Sequence, residues 1–305
     1  MNRGNIFLIL AALVWGLGLV SQQAGMEYLG PLGFTAVRCS LGGLSMIPVV
    51  WLVNRNRDTK AMTAGEREAE RGATLKGALV CAVALTTLIL GQQYGLLFTS
   101  VGKAGFITAL YIVLTPLGNM ILFKKKAAGK VWAAVAVALA GMYLLCLTGG
   151  IDSVNIGDVI MLLAALASTA HLLTVDHFID RADPVKMSCY QFLIVGIVSF
   201  AGALIFENDT FNMDNIMLSA IPVLYAGLAS CAVGYTFQII GQKYTDPGIA
   251  ALLLSLETVF ALLAGWIILG EVMKPHEYAG CVLMFAATVI AQLPDHVRRS
   301  EETDV

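Results

Sequence analysis

Apolar residues in this chain come in long runs separated by short polar or turn-rich stretches, and the pattern recurs ten times. The runs fall at roughly 4–23, 31–53, 74–98, 102–123, 130–148, 156–177, 184–206, 216–242, 246–269 and 275–293. Each reaches the roughly 17 or more residues that an α-helix needs to cross a bilayer core. Pro31, Pro184, Pro247 and Pro275 each stand at a predicted helix start, where the missing N–H costs nothing. Pro116 and Pro222 fall inside runs and predict kinks. The one long connector, Asn54 to Lys76, mixes Glu and Arg and is expected to be solvated.

Composition agrees with that reading. Hydrophobic residues make up 58% of the 305, charged residues only 13%, and mean hydropathy is +0.78. Ordinary soluble domains carry about 25% charge, so this chain cannot cover a water-facing surface. A cytosolic enzyme, a nucleic-acid binder and a disordered scaffold are all excluded, and the net charge of −2 offers no basic field for nucleic acid. The expected fold class is an all-α membrane protein of ten transmembrane helices. The six cysteines lie singly in apolar runs without C-x-x-C spacing and read as small packing residues. The first run has no small-residue cleavage site before Gln22-Gln23, so it is read as a retained helix.

Charge also sets an expected orientation. With the N-terminus inside, sixteen Lys and Arg fall on the inner side and two, Lys103 and Lys274, on the outer. The positive-inside rule then places both termini, including a tail at 294–305, in the cytoplasm and the chain in the plasma membrane.

An internal repeat is visible. At a spacing of 153 residues Gly4-Asn5-Ile6 faces Gly157-Asp158-Val159, Ala11-Ala12-Leu13 faces Ala164-Ala165-Leu166, and Pro31 faces Pro184. At 146 Gln92 faces Gln238, Gly95 faces Gly241, Thr99 faces Thr245, Gly102 faces Gly248, Ala104 faces Ala250, and Leu110 faces Leu256. The predicted units are 4–148 and 156–293. Each holds five helices, an odd number, so the second enters the membrane from the opposite side. Two inverted five-helix repeats are a common transporter architecture, with the substrate site near the midplane between them.

The motifs are also familiar. The first helix reads Trp15-Gly16-Leu17-Gly18-Leu19-Val20-Ser21-Gln22, then come Gly30-Pro31 and Arg38. A further run is Thr99-Ser100-Val101-Gly102-Lys103-Ala104-Gly105-Phe106-Ile107-Thr108, followed by Leu110-Tyr111 and Pro116. Late in the chain stand Leu256-Glu257-Thr258-Val259-Phe260 and Gly270-Glu271. In order and spacing, across about residues 4–293, this resembles the drug/metabolite transporter superfamily and its EamA-like ten-helix members. The resemblance implies a transporter of small metabolites, often an exporter. One departure is Lys124-Lys125-Lys126 where the second half has Gly270-Glu271-Val272.

Polar groups inside apolar runs are the candidate site residues, because each costs free energy unless paired or hydrated. Glu257 lies mid-span in the ninth run and is either a proton-coupling or cation-binding group or a structural hydrogen-bonding one. Its counterpart is Tyr111, so the halves present different groups at one depth. Thr108, Tyr111, Thr115 and Asn119 recur at helical steps as one polar stripe, read as cavity lining. Gln92 and Gln238 occupy equivalent places, with Tyr235 one turn before Gln238. Arg38 snorkels to the inner face, pairs with Glu257 or binds an anionic substrate; snorkelling or structural pairing is the simpler reading. Trp15 stacks on a substrate or fills the core, and packing is again simpler. His171 shares a face with Ser168 and Thr174 and either titrates or holds a structural hydrogen bond. Lys103 reads as an interfacial anchor, and Gly91-x-x-x-Gly95 as a close-packing surface.

No metalloprotease, nucleophile-elbow, Walker or dinucleotide motif occurs. No cofactor, metal or direct use of ATP is therefore expected. The sequence reading is a secondary active or facilitative transporter with a small-molecule substrate, embedded in lipid and exporting by alternating access, with proton coupling through Glu257 or His171. A homodimer is compatible with it. A membrane enzyme acting on a lipid or carrier substrate is the alternative.

Overall fold

The computed structural model describes residues 3–56, 62–95, 97–99, 101–125, 127–146, 154–269 and 273–293. Among them there is no strand. The helices are α1 (Arg3–Gly25), α2 (Pro31–Asn56), α3 (Ala64–Gly95), α4 (Val101–Ala109), α5 (Tyr111–Phe123), α6 (Gly129–Cys146), α7 (Ile156–Phe178) and α8 (Pro184–Phe206). There follow α9 (Met213–Leu218), α10 (Ala220–Leu224), a π-helical segment (Tyr225–Gly234), α11 (Tyr235–Gln242), α12 (Pro247–Leu254), α13 (Glu257–Leu269) and α14 (Pro275–Gln292). Eight helical stretches among the described residues are long and apolar enough to cross a membrane, and Arg3–Gly18 is a shorter apolar one. The predicted tail at 294–305 and the Gly270-Glu271 ending lie outside the described residues, as does the side chain of Lys103.

Three differences from the sequence expectation have physical causes. First, α3 starts at Ala64, so much of the charged connector is an exposed helix rather than a loop. Thr63 and Glu66 form a reciprocal cap there: the Glu66 carboxylate accepts from the Thr63 N–H at 2.8 Å, and the Thr63 hydroxyl oxygen accepts from the Glu66 N–H at 3.2 Å. Second, the fourth run breaks at Leu110, well before Pro116, and the ninth breaks at Ser255-Leu256 without any proline. Third, Pro222 is followed by ten residues of π-helix, a geometry that widens the turn and recurs at functional sites.

Apolar side chains populate both the outside and the inside. Trp51, Val83, Ile197, Phe206, Ile221, Ile267 and Val282 are exposed, a pattern that suits lipid and would be untenable in water. The interior packs α2 on α8, α3 on α7 and α6 on α14, while α1 packs on α11, α12 and α13 and α7 on α4 and α5. All six cysteines are free thiols.

Contacts in the two halves of the chain recur at the spacings of the sequence repeat. A Cβ on Gly4 would meet the Gly241 carbonyl oxygen at 2.6 Å, and one on Gly157 would meet that of Gly95 at 2.8 Å. Only glycine permits such backbone approach. The Thr99 hydroxyl donates to Asp158 Oδ1 at 2.7 Å, and the Thr245 hydroxyl donates to Asn5 Oδ1 at 3.0 Å. Both helix breaks also fall at matching positions, Leu110 and Leu256.

Candidate functional site

A cavity of about 80 Å³, lined by both polar and apolar side chains, lies where the two halves of the chain meet. Helices α1, α2, α3, α4, α5 and α7 line it, together with the π-helical segment, α11, α12 and α13. Several residues enter it in corresponding pairs, one from each half: Trp15 with Ser168, Ile89 with Tyr235, Gln92 with Gln238, Thr108 with Leu254, and Tyr111 with Glu257. Tyr111 and Glu257 each open the helix that follows a break. At both breaks the backbone stays hydrogen-bonded through tight turns, Leu110 N–H to the Ile107 carbonyl at 3.1 Å and Leu256 N–H to the Leu253 carbonyl at 3.3 Å.

Ring packing builds one wall. The Trp15 and Tyr235 rings lie 4.5 Å apart at 52°, and the Trp15 indole N–H donates to the Ser230 carbonyl at 3.3 Å. Tyr235 also meets Phe192 and His171 edge-on, at 5.0 and 5.8 Å. His171 Nε2 lies 3.0 Å from Gln191 Oε1. On the far side Gln238 donates to Gln242 at 3.1 Å, and Gln242 donates to the Leu172 carbonyl at 3.0 Å. Gln238 Oε1 is buried with no partner among the described residues.

Arg38 corrects the simpler sequence reading. It does not snorkel: its side chain is 3% exposed and lines the cavity, 5.4 Å from the Phe34 ring centroid. Nor is it paired with Glu257, since among the described residues no ion pair joins them. The cause is packing, because the Arg38 turn of α2 sits against Gly227 of the π-helical segment and so faces inward.

The polar stripe of the fourth run is divided. Thr108 and Tyr111 line the cavity; Thr115 and Asn119 are buried in α5 away from it, with Thr115 Oγ1 and Asn119 Oδ1 unpartnered. Asn119 lies two turns, about 12 Å of helical rise, beyond Tyr111. Gln22, Ser168 and Ser230 line the cavity as well. Ser168 carried a signal, its shared face with His171, whereas Ser230 sits in an Ala/Gly/Ser/Cys stretch that marks nothing. Among the described residues no three His, Cys, Asp or Glu side chains gather as a metal site.

The sequence profile of the EamA-like transporter family matches the chain twice, over residues 2–147 and 155–292. The chain belongs to the EamA-like transporter family. It resembles an uncharacterized transporter of Archaeoglobus fulgidus, 27% identical over 289 residues, covering 95% of this chain and 85% of the relative. It also resembles the uncharacterized transporter YwfM of Bacillus subtilis, 25% identical over 312 residues, covering 98% of each. A solved structure titled only as the crystal structure of a protein shares the fold, with a TM-score of 0.79 at 14% identity over 95% of this chain and 96% of that one. This EamA-like protein is thus a multi-pass membrane transporter and not an enzyme. The two family matches meet at the cavity, which draws its lining from both.

Proposed function

We propose that this EamA-like protein is a ten-helix secondary active or facilitative transporter that exports small organic metabolites across the plasma membrane, with both termini cytoplasmic. Residues 4–148 and 156–293 act as inverted five-helix repeats that rock about the cavity. Nine residues contact the substrate along its path: Trp15, Gln92, Thr108, Tyr111, Asn119, His171, Tyr235, Gln238 and Glu257. Arg38 supplies a positive charge that pairs with an anionic group of the substrate, and Glu257 or His171 couples transport to protons.

The observation that carries this reading is the paired lining of the cavity, with Gln92 facing Gln238 and Tyr111 facing Glu257. Similar halves can exchange conformations at similar energy, so that one end opens as the other closes. The recurrence of the Thr99–Asp158 and Thr245–Asn5 bonds supports it. At about 80 Å³ the cavity is far smaller than the roughly 300–1,000 Å³ of drug-sized sites. It suits a small solute held between openings.

A thermal-shift screen of metabolites on detergent-purified protein, followed by counterflow of the hits in proteoliposomes, tests the reading. A ligand that binds only the folded form raises apparent stability. Expected is a stabilising metabolite that exchanges across the membrane only with protein present. Protein that binds solutes and moves none contradicts it.

A further inference from the structure

Cys39 and Cys231 lie in different halves of the chain, yet the fold brings them together. Glycines make the approach possible. A Cβ on Gly42, one turn after Cys39 in α2, would meet Cys231 Cβ at 2.6 Å. A Cβ on Gly227, one turn before Cys231, would meet the Arg38 carbonyl oxygen at 3.0 Å. The two thiols are free, share a hydrogen bond and belong to one buried cluster. A disulfide needs backbones packed this closely, with Cα atoms about 4.4–6.8 Å apart.

The setting distinguishes this pair from the other cysteines. Cys231 lines the cavity, and so does Arg38, the residue before Cys39. Reactive thiols occur where solvent enters and a positive charge stands near. Cys189 instead donates to the Gly43 carbonyl at 3.4 Å, and Cys146 donates to Met142 Sδ at 3.5 Å. Cys81 and Cys281 pack in two other clusters.

We propose that Cys39 and Cys231 form a dithiol site that peroxide oxidises to a disulfide, tying the two halves together. Hydrogen peroxide entering the cavity oxidises the Cys231 thiol to a sulfenic acid and is itself reduced to one water. The Cys39 sulfur then attacks the Cys231 sulfur. The S–S bond forms, the S–O bond breaks, and the hydroxyl leaves with the Cys39 proton as a second water. In sum, two thiols and one peroxide give one disulfide and two waters. The bond joins α2 in the first half to the π-helical segment in the second. Its effect on transport rests on the transporter reading: bridged halves cannot rock about the cavity, so transport stops until a thiol reductant opens the bridge by exchange.

The test treats full-length protein in proteoliposomes with hydrogen peroxide, blocks the remaining free thiols and maps the digested chain by mass spectrometry. Expected is a linked pair of peptides carrying Cys39 and Cys231, which dithiothreitol separates. In Cys39→Ser, dimedone should capture a sulfenic acid on Cys231. Peroxide that leaves both thiols free overturns the proposal, and so does a link from either of them to Cys189 instead. If the variant does not fold, the wild-type map still decides. Counterflow of a solute found in the metabolite screen should fall to the protein-free background after peroxide and recover with dithiothreitol. A disulfide that forms without slowing counterflow overturns the tie. If no solute crosses even before peroxide, the transporter reading fails, while the linked peptides still decide the dithiol.

Discussion

The Thr99 hydroxyl reaches across from the first half of the chain to Asp158 Oδ1 in the second, at 2.7 Å. Its counterpart runs the other way, from Thr245 in the second half to Asn5 in the first, at 3.0 Å. The two bonds differ in one respect: one acceptor is a carboxylate and the other an amide. Bonds to charged groups contribute about 1.5–3 kcal/mol and neutral ones about 0.5–1.5 kcal/mol. Thr99→Val should therefore destabilise by about 2 kcal/mol and Thr245→Val by about 1 kcal/mol, as read by unfolding in detergent. Equal losses, or the reverse order, would contradict this account of the two ties.

Glu207 forms a third tie between the halves. Its carboxylate accepts from the Leu32 and Gly33 N–H groups at 3.0 and 2.8 Å, closing the start of α2, and from the Tyr94 hydroxyl at 3.2 Å. Glu207→Ala should cost about 2–3 kcal/mol because it orphans backbone donors. Tyr94→Phe should cost about 1 kcal/mol, since the carboxylate keeps its other partners. In a double-mutant cycle the two effects should be non-additive. Strict additivity would mean that Tyr94 and Glu207 do not act together.

Backbone geometry predicts substitutions of opposite sign. Gly72 lies in the exposed first turns of α3, and a Cβ there meets nothing within 4 Å. Gly72→Ala should raise stability by about 0.5–1 kcal/mol. Lys124 closes α5 at φ 56°, in the left-handed region, so Lys124→Gly should stabilise by about 1 kcal/mol. Gly4→Ala should instead be strongly destabilising, because its Cβ would strike the Gly241 carbonyl oxygen at 2.6 Å. Melting temperatures of the three variants check these signs.

Proton coupling through Glu257 makes a separate prediction. In vesicles, an imposed pH gradient should drive transport by the wild type. Glu257→Gln should lose the response to the gradient, and the solute exchange that remains should be the same with and without it. Wild-type transport indifferent to the gradient would remove coupling from the account while leaving facilitative transport intact.

Much of this was legible in the sequence because lipid demands apolar helices, and among the described residues the apolar runs lie in helical segments, although α3 starts ten residues before the predicted 74 and the fourth, eighth and ninth runs are interrupted. Gln92, Tyr111, Gln238 and Glu257 stood out because polar groups are expensive in such runs, and they line one cavity. The helix breaks did not stand out. Leu110 and Leu256 are good helix formers, and only tertiary packing interrupts the helix there. The π-helical turn is equally silent, since its Ala, Gly and Ser residues accept either winding. The start of α3 was marked by Thr63-x-x-Glu66, a local capping signal that hydropathy alone conceals. Arg38 was visible as a charge in a span, but its direction depended on how α2 packs against Gly227. Asn119 continues the stripe by helical spacing, which alone does not show that the cavity ends short of it.

The central claim is that one cavity, walled by both halves, opens by turns to the two sides of the membrane. Gln92 stands on its wall. Gln92→Cys in a cysteine-free background, probed with a membrane-impermeant thiol reagent in right-side-out and in inside-out vesicles, tests this directly. The account predicts labelling from both faces, with substrate shifting the ratio between them. Labelling from a single face, unchanged by any transported solute, would contradict it.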